Sequence, residues 1–390
     1  MKRVSIFGAT GSIGQNTVNL IGRNRDEYQV VALTGSQNIS QLIMDAKMLQ
    51  AEIAVTSDPS RLTELRDGLV GSGIDVAAGD AALIDAAARP ADWIMSAIIG
   101  AAGLRPGLEA LKHGTVLALA NKESLVTAGP LLMSEAERFG STILPVDSEH
   151  SAVFQALVGE DLTTVERVII TASGGAFRDH PLSALDNVTV EEASKHPNWD
   201  MGQRITIDSA SMFNKAMELI ETKEFFGVRP DQIETIIHPE SLIHALVGFK
   251  DGALMAHVGP HDMRHAIGFA LNWPFRKDLP VQRLDLAKIG QLNFLEPDLA
   301  RYPALMIAHK VMEAGGLTGA VFNAAKERAL DAFIAGACSF TDMARIVDRV
   351  VDLVLAREGL QNASITLDNI NEVDAMARAL TSEEIAKLES

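Results

Sequence analysis

The stretch VSIFGATGSIGQNTVNLIG, residues 4–22, decides the fold because it contains a strand pattern, a glycine turn and a helix pattern in direct succession. Gly8, Gly11 and Gly14 stand at the G-x-x-G-x-x-G spacing. Glycine permits a tight turn and the close approach of a pyrophosphate, which then lies at the amino terminus of the helix. A tight turn without a nucleotide is the alternative, but the flanking strand and helix favour a dinucleotide site.

The end of the second predicted strand bears on which dinucleotide is bound. An NAD site normally offers an acid there to the ribose 2′-hydroxyl, and VVALTGSQN, residues 30–38, contains none. This favours NADP, although the segment has no Arg or Lys either. Ser36, Gln37 and Asn38 offer only neutral donors to a 2′-phosphate.

Residues 1–147 alternate short apolar runs with amphipathic runs. Nearly continuous apolar runs are typical of a parallel sheet that is covered on both faces. Strand–helix alternation predicts a doubly wound, Rossmann-like α/β domain, and its glycine turn makes it the candidate NADPH-binding domain. The predicted strands are 4–8, 29–35, 51–56, 74–79, 92–98, 115–120 and 141–146.

The pattern changes after residue 147. Residues 148–275 predict an α+β domain with a mixed or largely antiparallel sheet. Proline-punctuated residues 276–300 predict a linker, and the long apolar periodicity of 301–390 predicts a helical domain. The predicted strands are 165–175, 204–208, 233–238, 242–249 and 252–259.

Composition excludes several classes of protein. The 390 residues carry a formal net charge of -17, which argues against a nucleic-acid partner and an anionic membrane surface. The apolar stretches are too short to span a bilayer, and the amino terminus does not resemble a signal peptide. The single cysteine, Cys338, cannot form an intrachain disulfide. We therefore expect a cytoplasmic protein.

Two dehydrogenase classes with a similar glycine loop are excluded by their catalytic residues. Short-chain dehydrogenases use Tyr-x-x-x-Lys, but Ala32 and Met306 stand four residues after the two tyrosines, Tyr28 and Tyr302. Acyl-enzyme semialdehyde dehydrogenases need a cysteine nucleophile, and Cys338 lies in the helical tail, where a small core residue is the simpler interpretation. A metal is the natural remaining source of electrophilic chemistry.

The segment PVDSEHSA, residues 145–152, places Asp147, Glu149 and His150 where an apolar run meets an amphipathic one. Helix capping is one explanation, since Asp and Ser commonly cap a first turn. A metal site is the other, because Asp147 and Glu149 would point to the same side of an extended backbone.

The segment DSASMFNKAMELIE, residues 208–221, predicts a helix that places Asn214, Lys215 and Glu218 on one face. Ser209 and Ser211 lie just before its start or at it, where hydroxyls and free backbone N–H groups could hold a phosphate. The alternative is a capped helix with an ordinary Lys–Glu surface pair.

Two further segments combine chemistry with irregular backbone. TASGGAFR, residues 171–178, ends a strand at Ser173, and is either a plain loop or a close backbone approach to a ligand. SKHPNWDMGQR, residues 194–204, carries His196, Trp199 and Gly202 in a polar loop. A lid over a substrate would use such a Trp, and a core-anchored loop Trp is the alternative.

Seven of these motifs occur together in the order of one known family. They are GATGSIG (8–14), LANKESLV (119–126), PVDSEHSA (145–152), TASGGAFR (171–178), KHPNWDMG (195–202), IDSASMFNKAMELIE (207–221) and HPESLIHALV (238–247). The chain resembles the 1-deoxy-D-xylulose 5-phosphate reductoisomerase family over about its first 275 residues, and its linker and helical tail match the family's three-part layout.

The resemblance implies an NADPH-dependent oxidoreductase of isoprenoid precursor synthesis. It would rearrange the carbon skeleton of a phosphorylated ketose and reduce the resulting aldehyde to 2-C-methyl-D-erythritol 4-phosphate. The resemblance also implies a requirement for Mg²⁺ or Mn²⁺ and a homodimer, with residues 148–275 as the catalytic, substrate- and metal-binding domain that also dimerises.

The resemblance also implies roles for individual residues, carried over motif by motif. The implied metal ligands are Asp147, Glu149 and Glu218, an oxygen-only set that suits a hard cation. The implied catalytic residues are Lys122, Glu149 and His196. The implied substrate-binding residues are Lys122, Ser148, Glu149, Ser173, His196, Trp199, Ser209, Asn214, Lys215 and Glu218, with His196 and Trp199 on a mobile lid. The cofactor-binding residues are Thr10, Gly11, Ser12, Ile13, Ser36, Gln37, Asn38, Asn121, Glu123 and Gly202.

One position departs from the family pattern. Many members carry a basic residue where this chain has Gln37, so the strength of the preference for NADPH over NADH stays open. Two other functions remain as alternatives: a homoserine-dehydrogenase-like oxidoreductase, and a non-catalytic dinucleotide sensor, which would need no aligned carboxylates at Asp147, Glu149 and Glu218.

Overall fold

The computed structural model describes residues 1–199, 201–357 and 363–388. The seven strands predicted in the first part of the chain are all present and form one sheet. They are β1 (Lys2–Phe7), β2 (Tyr28–Gly35), β3 (Ile53–Thr56), β4 (Asp75–Ala78), β5 (Trp93–Ser96), β6 (Val116–Leu119) and β7 (Thr142–Pro145). The helices that follow successive strands are α1 (Ser12–Arg23), α2 (Ile39–Leu49), α3 (Leu62–Leu69), α4 (Asp80–Ala87), α5 (Leu104–Leu111) and α6 (Lys122–Phe139).

The sheet has the order β4-β3-β2-β1-β5-β6-β7, and every pair in it is parallel. Val4 of β1 pairs with Val30 on one side and Trp93 on the other, so the strand order reverses at β1. Such a reversal is where doubly wound folds bind their ligands. The glycine turn after β1 lies at this point, and the predicted fold class is confirmed.

A second sheet is mixed, as the sequence predicts. Its strands are β8 (Val165–Ala172), β9 (Ile233–Ile237), β10 (Ile243–Phe249) and β11 (Leu254–Val258), in the order β11-β10-β8-β9. β10 is antiparallel to both of its neighbours, whereas β8 and β9 are parallel. The helices in this part of the chain are α7 (Ser148–Ala156), α8 (Val190–Ala193), α9 (Gln203–Ala210), α10 (Phe213–Phe226) and α11 (Arg264–Asn272).

The end of the chain is helical, as predicted. The helices are α12 (Leu286–Ile289), α13 (Pro303–Ala314), α14 (Thr318–Ile334), α15 (Phe340–Leu355) and α16 (Leu367–Ala386). Met343, Val347 and Val350 repeat at helical spacing along α15 and are buried. Ser339 caps this helix by accepting a hydrogen bond from the backbone of Asp342, whose side chain accepts one in return.

The strand predicted at residues 204–208 is wrong, because these residues lie in α9. Arg-Ile-Thr-Ile-Asp has the alternation of a strand, but Gly202 precedes the segment and the side chains of Thr206 and Asp208 are buried against neighbouring helical structure. Here tertiary packing overrides the β propensity of Ile and Thr.

The helix predicted from residue 208 is two helices. Met212 adopts a left-handed conformation, φ 63°, between α9 and α10. Ser209 therefore lies in the last turn of α9, and Ser211 is the C-cap residue of that helix. Asn214, Lys215 and Glu218 lie on α10, as predicted.

The chain divides into two compact units that are described separately below. The first unit comprises residues 1–124, 132–151 and 262–283, and the second comprises residues 125–131, 152–261 and 284–390. These units differ from the predicted segments 1–147, 148–275, 276–300 and 301–390: residues 262–283 group with the parallel sheet, and the helical tail groups with the second sheet. Among the described residues, no helix is long and apolar enough to cross a membrane.

Candidate active site

The glycine turn of the first unit is built by close backbone approaches. Gly8 has φ 83° and donates its N–H to Thr34 Oγ1 at 3.0 Å. The N–H of Ala9 donates to the carbonyl of Thr34 at 2.7 Å. Gly11 flanks the first turn of α1, so Thr10, Gly11, Ser12 and Ile13 form the junction of loop and helix. The free N–H groups of such a first turn favour an anion.

Of the three glycines in this turn, Gly14 has the least space. A Cβ there would lie 2.2 Å from the carbonyl oxygen of Gly8 and 2.4 Å from that of Ala9. We expect Gly14→Ala to distort the loop and to weaken NADPH binding by at least about tenfold, since a pyrophosphate needs this backbone shape. Titration of the cofactor's fluorescence with the full-length protein measures the change.

Gly22→Ala is the matched control, because it adds the same methyl group to the same helix. A Cβ at Gly22 would meet only Met48 Cε, at 3.8 Å, and Leu49 Cδ2, at 3.9 Å, which is ordinary packing. Its NADPH affinity should equal that of the parent protein. Equal affinities of the Gly14→Ala and parent proteins would contradict a pyrophosphate role for the loop.

The residues predicted to meet the ribose follow β2 directly. The Ser36 carbonyl accepts a hydrogen bond from Thr56 Oγ1 at 2.9 Å, and Asn38 caps α2 by accepting from the N–H of Gln41 at 3.2 Å. The Gln37 amide donates to the Asp58 carboxylate at 2.7 Å. Asp58 was not among the predicted site residues, because it follows a different strand and no local motif marks it.

Asn121 and Lys122 stand at the start of α6, where β6 ends. Asn121 caps the helix by accepting from the N–H of Ser124 at 2.9 Å, and its amide donates to the Gly100 carbonyl at 2.8 Å. Lys122 Nζ lies 2.6 Å from Asp147 Oδ2, and the two side chains are 8% and 16% exposed. The predicted Lys122 and Asp147 are thus brought together within the first unit. Glu123 lies in the first turn of α6.

The segment PVDSEHSA ends β7 and begins α7 at Ser148. Glu149 is therefore helical, so the extended backbone that would point its side chain to the same side as that of Asp147 is not what the structure shows. Ser148 Oγ donates to Glu149 Oε2 at 2.6 Å. His150 is fully buried, with Nδ1 3.8 Å from Asp147 Oδ2. The first unit thus presents two carboxylates at the start of one helix.

Glu218 is the predicted metal ligand that lies in the second unit. It is fully buried on α10. Asn214 Nδ2 donates to Glu218 Oε1 at 2.5 Å, and Lys215 Nζ donates to Glu218 Oε2. The predicted trio therefore lies on one helix face and is hydrogen-bonded. Lys215 is only 4% exposed, so the alternative of an ordinary surface pair is wrong.

Ser173 and His196 are joined across the second unit. Ser173 Oγ lies 3.1 Å from His196 Nε2. His196 Nδ1 accepts two backbone hydrogen bonds, from Asn198 at 3.1 Å and Trp199 at 3.0 Å. Because Nδ1 is an acceptor, a neutral His196 carries its proton on Nε2 and donates it to Ser173.

Trp199 packs against histidines rather than standing in solvent. Its ring centroid is 5.4 Å from that of His261, edge to face, and 6.3 Å from that of His244. Gly202, three residues on, flanks the start of α9. Hydrogen bonds therefore hold the ring of His196, and ring contacts hold the side chain of Trp199.

The SGG turn after β8 touches the serine of α9. Gly175 has φ 68°, and a Cβ there would lie 2.6 Å from the Ser209 carbonyl oxygen. This close backbone approach brings Ser173 and Ser209 into one neighbourhood of the second unit. Ser209 Oγ donates to the Ile205 carbonyl at 2.8 Å. The glycine here allows a close approach of protein backbone, and an approach to a ligand stays a prediction.

Two residues of the helical tail form hydrogen bonds with the turn after β8. Sequence analysis did not predict a role for either of them. Tyr302 Oη donates to the Gly174 carbonyl at 2.8 Å, and Arg301 Nη1 donates to the Phe177 carbonyl at 2.7 Å. Burial raises the pKa of Tyr302 to about 12, so its hydroxyl stays protonated and donating throughout the neutral range.

A buried ion pair also joins α9 to the tail. Lys326 Nζ lies 2.9 Å from Asp208 Oδ2, and the side chains are 4% and 7% exposed. Asp208 directly precedes Ser209. The helical tail, whose role the sequence left open, therefore supports the residues predicted to hold the phosphate.

Cys338 has the properties expected of a small packing residue. Its Sγ–H contacts the Ala329 carbonyl at 3.8 Å, and burial raises the thiol pKa to about 11. A thiol nucleophile needs a lowered pKa, so a role as an acyl-enzyme cysteine does not fit.

Comparison with known proteins identifies the family. Residues 4–129 match the model described as 1-deoxy-D-xylulose 5-phosphate reductoisomerase, residues 143–226 match the C-terminal domain of the same enzyme, and residues 258–380 match the DXP reductoisomerase C-terminal domain. A relative of that name from Ruegeria pomeroyi is 65% identical over 387 residues, covering 99% of this chain and 98% of its own. The chain belongs to the 1-deoxy-D-xylulose 5-phosphate reductoisomerase family.

Other members of the reductoisomerase family agree in sequence and structure. A relative from Cereibacter sphaeroides is 60% identical and covers 98% of both chains. The Zymomonas mobilis reductoisomerase, solved with NADPH, superposes with a TM-score of 0.92 at 43% identity and covers 98% of this chain and 99% of its own. A reductoisomerase solved with NADPH, fosmidomycin and magnesium gives 0.93 at 36% identity, with full coverage of both chains. Neither a homoserine dehydrogenase nor a non-catalytic sensor is favoured by these matches.

Proposed function

We propose that this chain converts 1-deoxy-D-xylulose 5-phosphate to 2-C-methyl-D-erythritol 4-phosphate, using NADPH and a divalent cation, in isoprenoid precursor synthesis. The observation that carries the proposal is the 65% identity, over nearly the whole chain, to a relative named for this reaction. The site residues add a tight glycine turn and carboxylates paired with lysines.

Asp147, Glu149 and Glu218 are the proposed ligands of the cation. Their donors are all carboxylate oxygens, which suits Mg²⁺ or Mn²⁺. When bound, the cation supplies Lewis-acid stabilisation of charge on the oxygens of the substrate. In this structure Lys122 pairs with Asp147 and Lys215 pairs with Glu218, so a bound cation would take over or share these carboxylates with the two ammonium groups.

The second unit holds the proposed phosphate and sugar contacts. Ser173, Ser209, Asn214 and Lys215 offer two hydroxyls, an amide and an ammonium group, a donor set that suits a phosphate and sugar hydroxyls. Lys122, Ser148 and Glu149 are the contacts that the first unit contributes to the substrate.

His196 and Trp199 form the proposed lid. The His196 ring donates from Nε2 to Ser173 and is fixed at Nδ1 by two backbone N–H groups. Movement of the loop therefore also moves a hydrogen bond to a phosphate-side serine. Closure keeps water from the reacting carbons and the hydride.

The cofactor site is assigned to the first unit and to one glycine of the second. Thr10, Gly11, Ser12 and Ile13 present the pyrophosphate loop, while Ser36, Gln37 and Asn38 lie where a ribose is expected. Asn121, Glu123 and Gly202 are assigned to the nicotinamide side. NADPH supplies the hydride, and these residues supply its placement.

A second copy of this chain is the proposed partner. The edge strand β11 exposes Leu254, Met255 and Val258. An exposed apolar edge strand is a surface that native proteins normally cover. Covering it with the same strand of a second copy would give the homodimer implied by the family resemblance.

We assign the enzyme to the cytoplasm, a compartment that keeps Cys338 reduced.

Consumption of NADPH, followed by its absorbance, tests the reaction. We expect consumption with 1-deoxy-D-xylulose 5-phosphate and Mg²⁺ together, and none when either is left out or when chelator is in excess. Manganese should replace magnesium, because the ligands are hard oxygen donors. Activity in excess chelator would contradict the metal role, and oxidation of homoserine would favour the alternative enzyme.

A further inference from the structure

An acid lies beside the residues predicted to meet the ribose of the cofactor. Asp58 Oδ2 accepts the hydrogen bond of the Gln37 amide at 2.7 Å. Gln37 follows β2 and Asp58 follows β3, and these strands are neighbours in the parallel sheet. Their carboxyl ends meet at one edge, so the two loops are adjacent although 21 residues separate the two side chains.

The Asp58 carboxylate is held in a fixed orientation. Its Oδ1 accepts from Ser60 Oγ at 2.7 Å and from the N–H of Ser60 at 2.9 Å, while its own N–H donates to Thr56 Oγ1 at 3.2 Å. The Ser60 hydroxyl is the main cause of a lowered pKa of Asp58. The side chain is therefore ionised at neutral pH, with Oδ2 turned to Gln37.

The pyrophosphate loop lies against the same strand end. Ala9 donates its N–H to the Thr34 carbonyl at 2.7 Å, and a Cβ at Gly35 would lie 3.2 Å from Thr10 Cγ2. In doubly wound folds the ribose next to the pyrophosphate reaches the end of the second strand with its 2′ substituent. Gln37 and Asp58 stand there.

We propose that Asp58 determines how strongly this chain prefers NADPH over NADH. A 2′-phosphate that takes the Gln37 amide as donor must come within reach of the Asp58 carboxylate, and like charges repel. A 2′-hydroxyl in the same place finds an acceptor. This inference rests on the proposed function, because it assumes that NADPH is the cofactor.

Charges around Asp58 do not reverse this effect. Arg61 is the cation that acts on the Asp58 charge, but its Nη1 donates to Glu64 Oε2 at 3.0 Å. Gln37 itself is neutral. Asp58 therefore limits the selectivity for NADPH, and the chain should retain measurable binding of NADH.

Asp58→Asn tests the proposal by direct titration of both nucleotides, without substrate. We expect the Kd for NADPH to fall and the Kd for NADH to rise, so that their ratio shifts by about tenfold at low salt and by less at high salt. Asp58→Ser, which also removes the charge and can still cap the following turn, should shift the ratio in the same direction.

Asp75→Asn is the matched control, since it makes the same change in the same unit at an exposed pair with Arg89, at the opposite end of the strands. Its Kd ratio should equal that of the parent protein. An unchanged ratio in both Asp58 variants, or an equal shift in Asp75→Asn, would overturn the role of Asp58. If neither nucleotide bound the parent protein, the proposed cofactor site itself would be wrong, which is a distinguishable result.

Discussion

Glu149→Gln should lower the turnover of 1-deoxy-D-xylulose 5-phosphate by about a thousandfold while leaving NADPH binding unchanged. The substitution keeps the shape of the side chain and an oxygen for the 2.6 Å hydrogen bond from Ser148 Oγ. It removes the negative charge that a hard cation prefers. The Mg²⁺ concentration at half-maximal rate should rise as the maximal rate falls.

The control for this variant is Glu135→Gln. Glu135 lies on α6 in the first unit and forms an exposed pair with Arg138, at 3.2 Å. Its loss removes one acid without touching the proposed metal ligands, so turnover and Mg²⁺ dependence should match the parent protein. Full activity of Glu149→Gln at limiting Mg²⁺ would remove Glu149 from the metal site.

Lys326→Met should lower the free energy of unfolding by about 3–5 kcal/mol, because it leaves the Asp208 carboxylate buried without its cation. The two side chains are 4% and 7% exposed, and the ion-pair distance is 2.9 Å. The double variant Asp208→Leu with Lys326→Met should recover most of this loss, since an apolar pair can replace a buried ion pair. Urea denaturation of the three proteins measures both effects.

The same two helices provide the control. Arg204 on α9 and Asp331 on α14 form an ion pair at 2.6 Å, but their side chains are 46% and 44% exposed. Arg204→Met should cost no more than about 1 kcal/mol. Equal losses for Lys326→Met and Arg204→Met would show that burial does not govern the pair between α9 and the tail.

The parallel sheet could be predicted because its information is local. Each strand is a short apolar run, and the glycine turn 8–14 fixes where the first strand ends. Residues 204–208 have similar local alternation and yet are helical, since Thr206 and Asp208 are buried on a helix that packs against α10 and α14. Period alone does not distinguish these cases.

Within the candidate site, the groups that share a helix face could be predicted and the groups joined across the fold could not. The spacing of Asn214, Lys215 and Glu218 gives their shared face directly. The contact of Gln37 with Asp58 depends on the pairing of two strands, and no spacing rule contains it. The experiments above test which carboxylates bind the metal together and which residues donate hydrogen bonds to the substrate.

The residues predicted to hold the phosphate depend on contacts from the helical tail. The position of these contacts in the chain matters during synthesis on the ribosome. Gly174 and its anchor Tyr302 are 128 residues apart, and Asp208 and Lys326 are 118 apart. At about 5–20 residues per second, roughly 6 to 25 seconds pass between the synthesis of the first residue of each pair and that of its partner. Throughout that interval the turn at Gly174 and helix α9 lack these anchors, so this part of the second unit cannot complete its folding until the helical tail has been made.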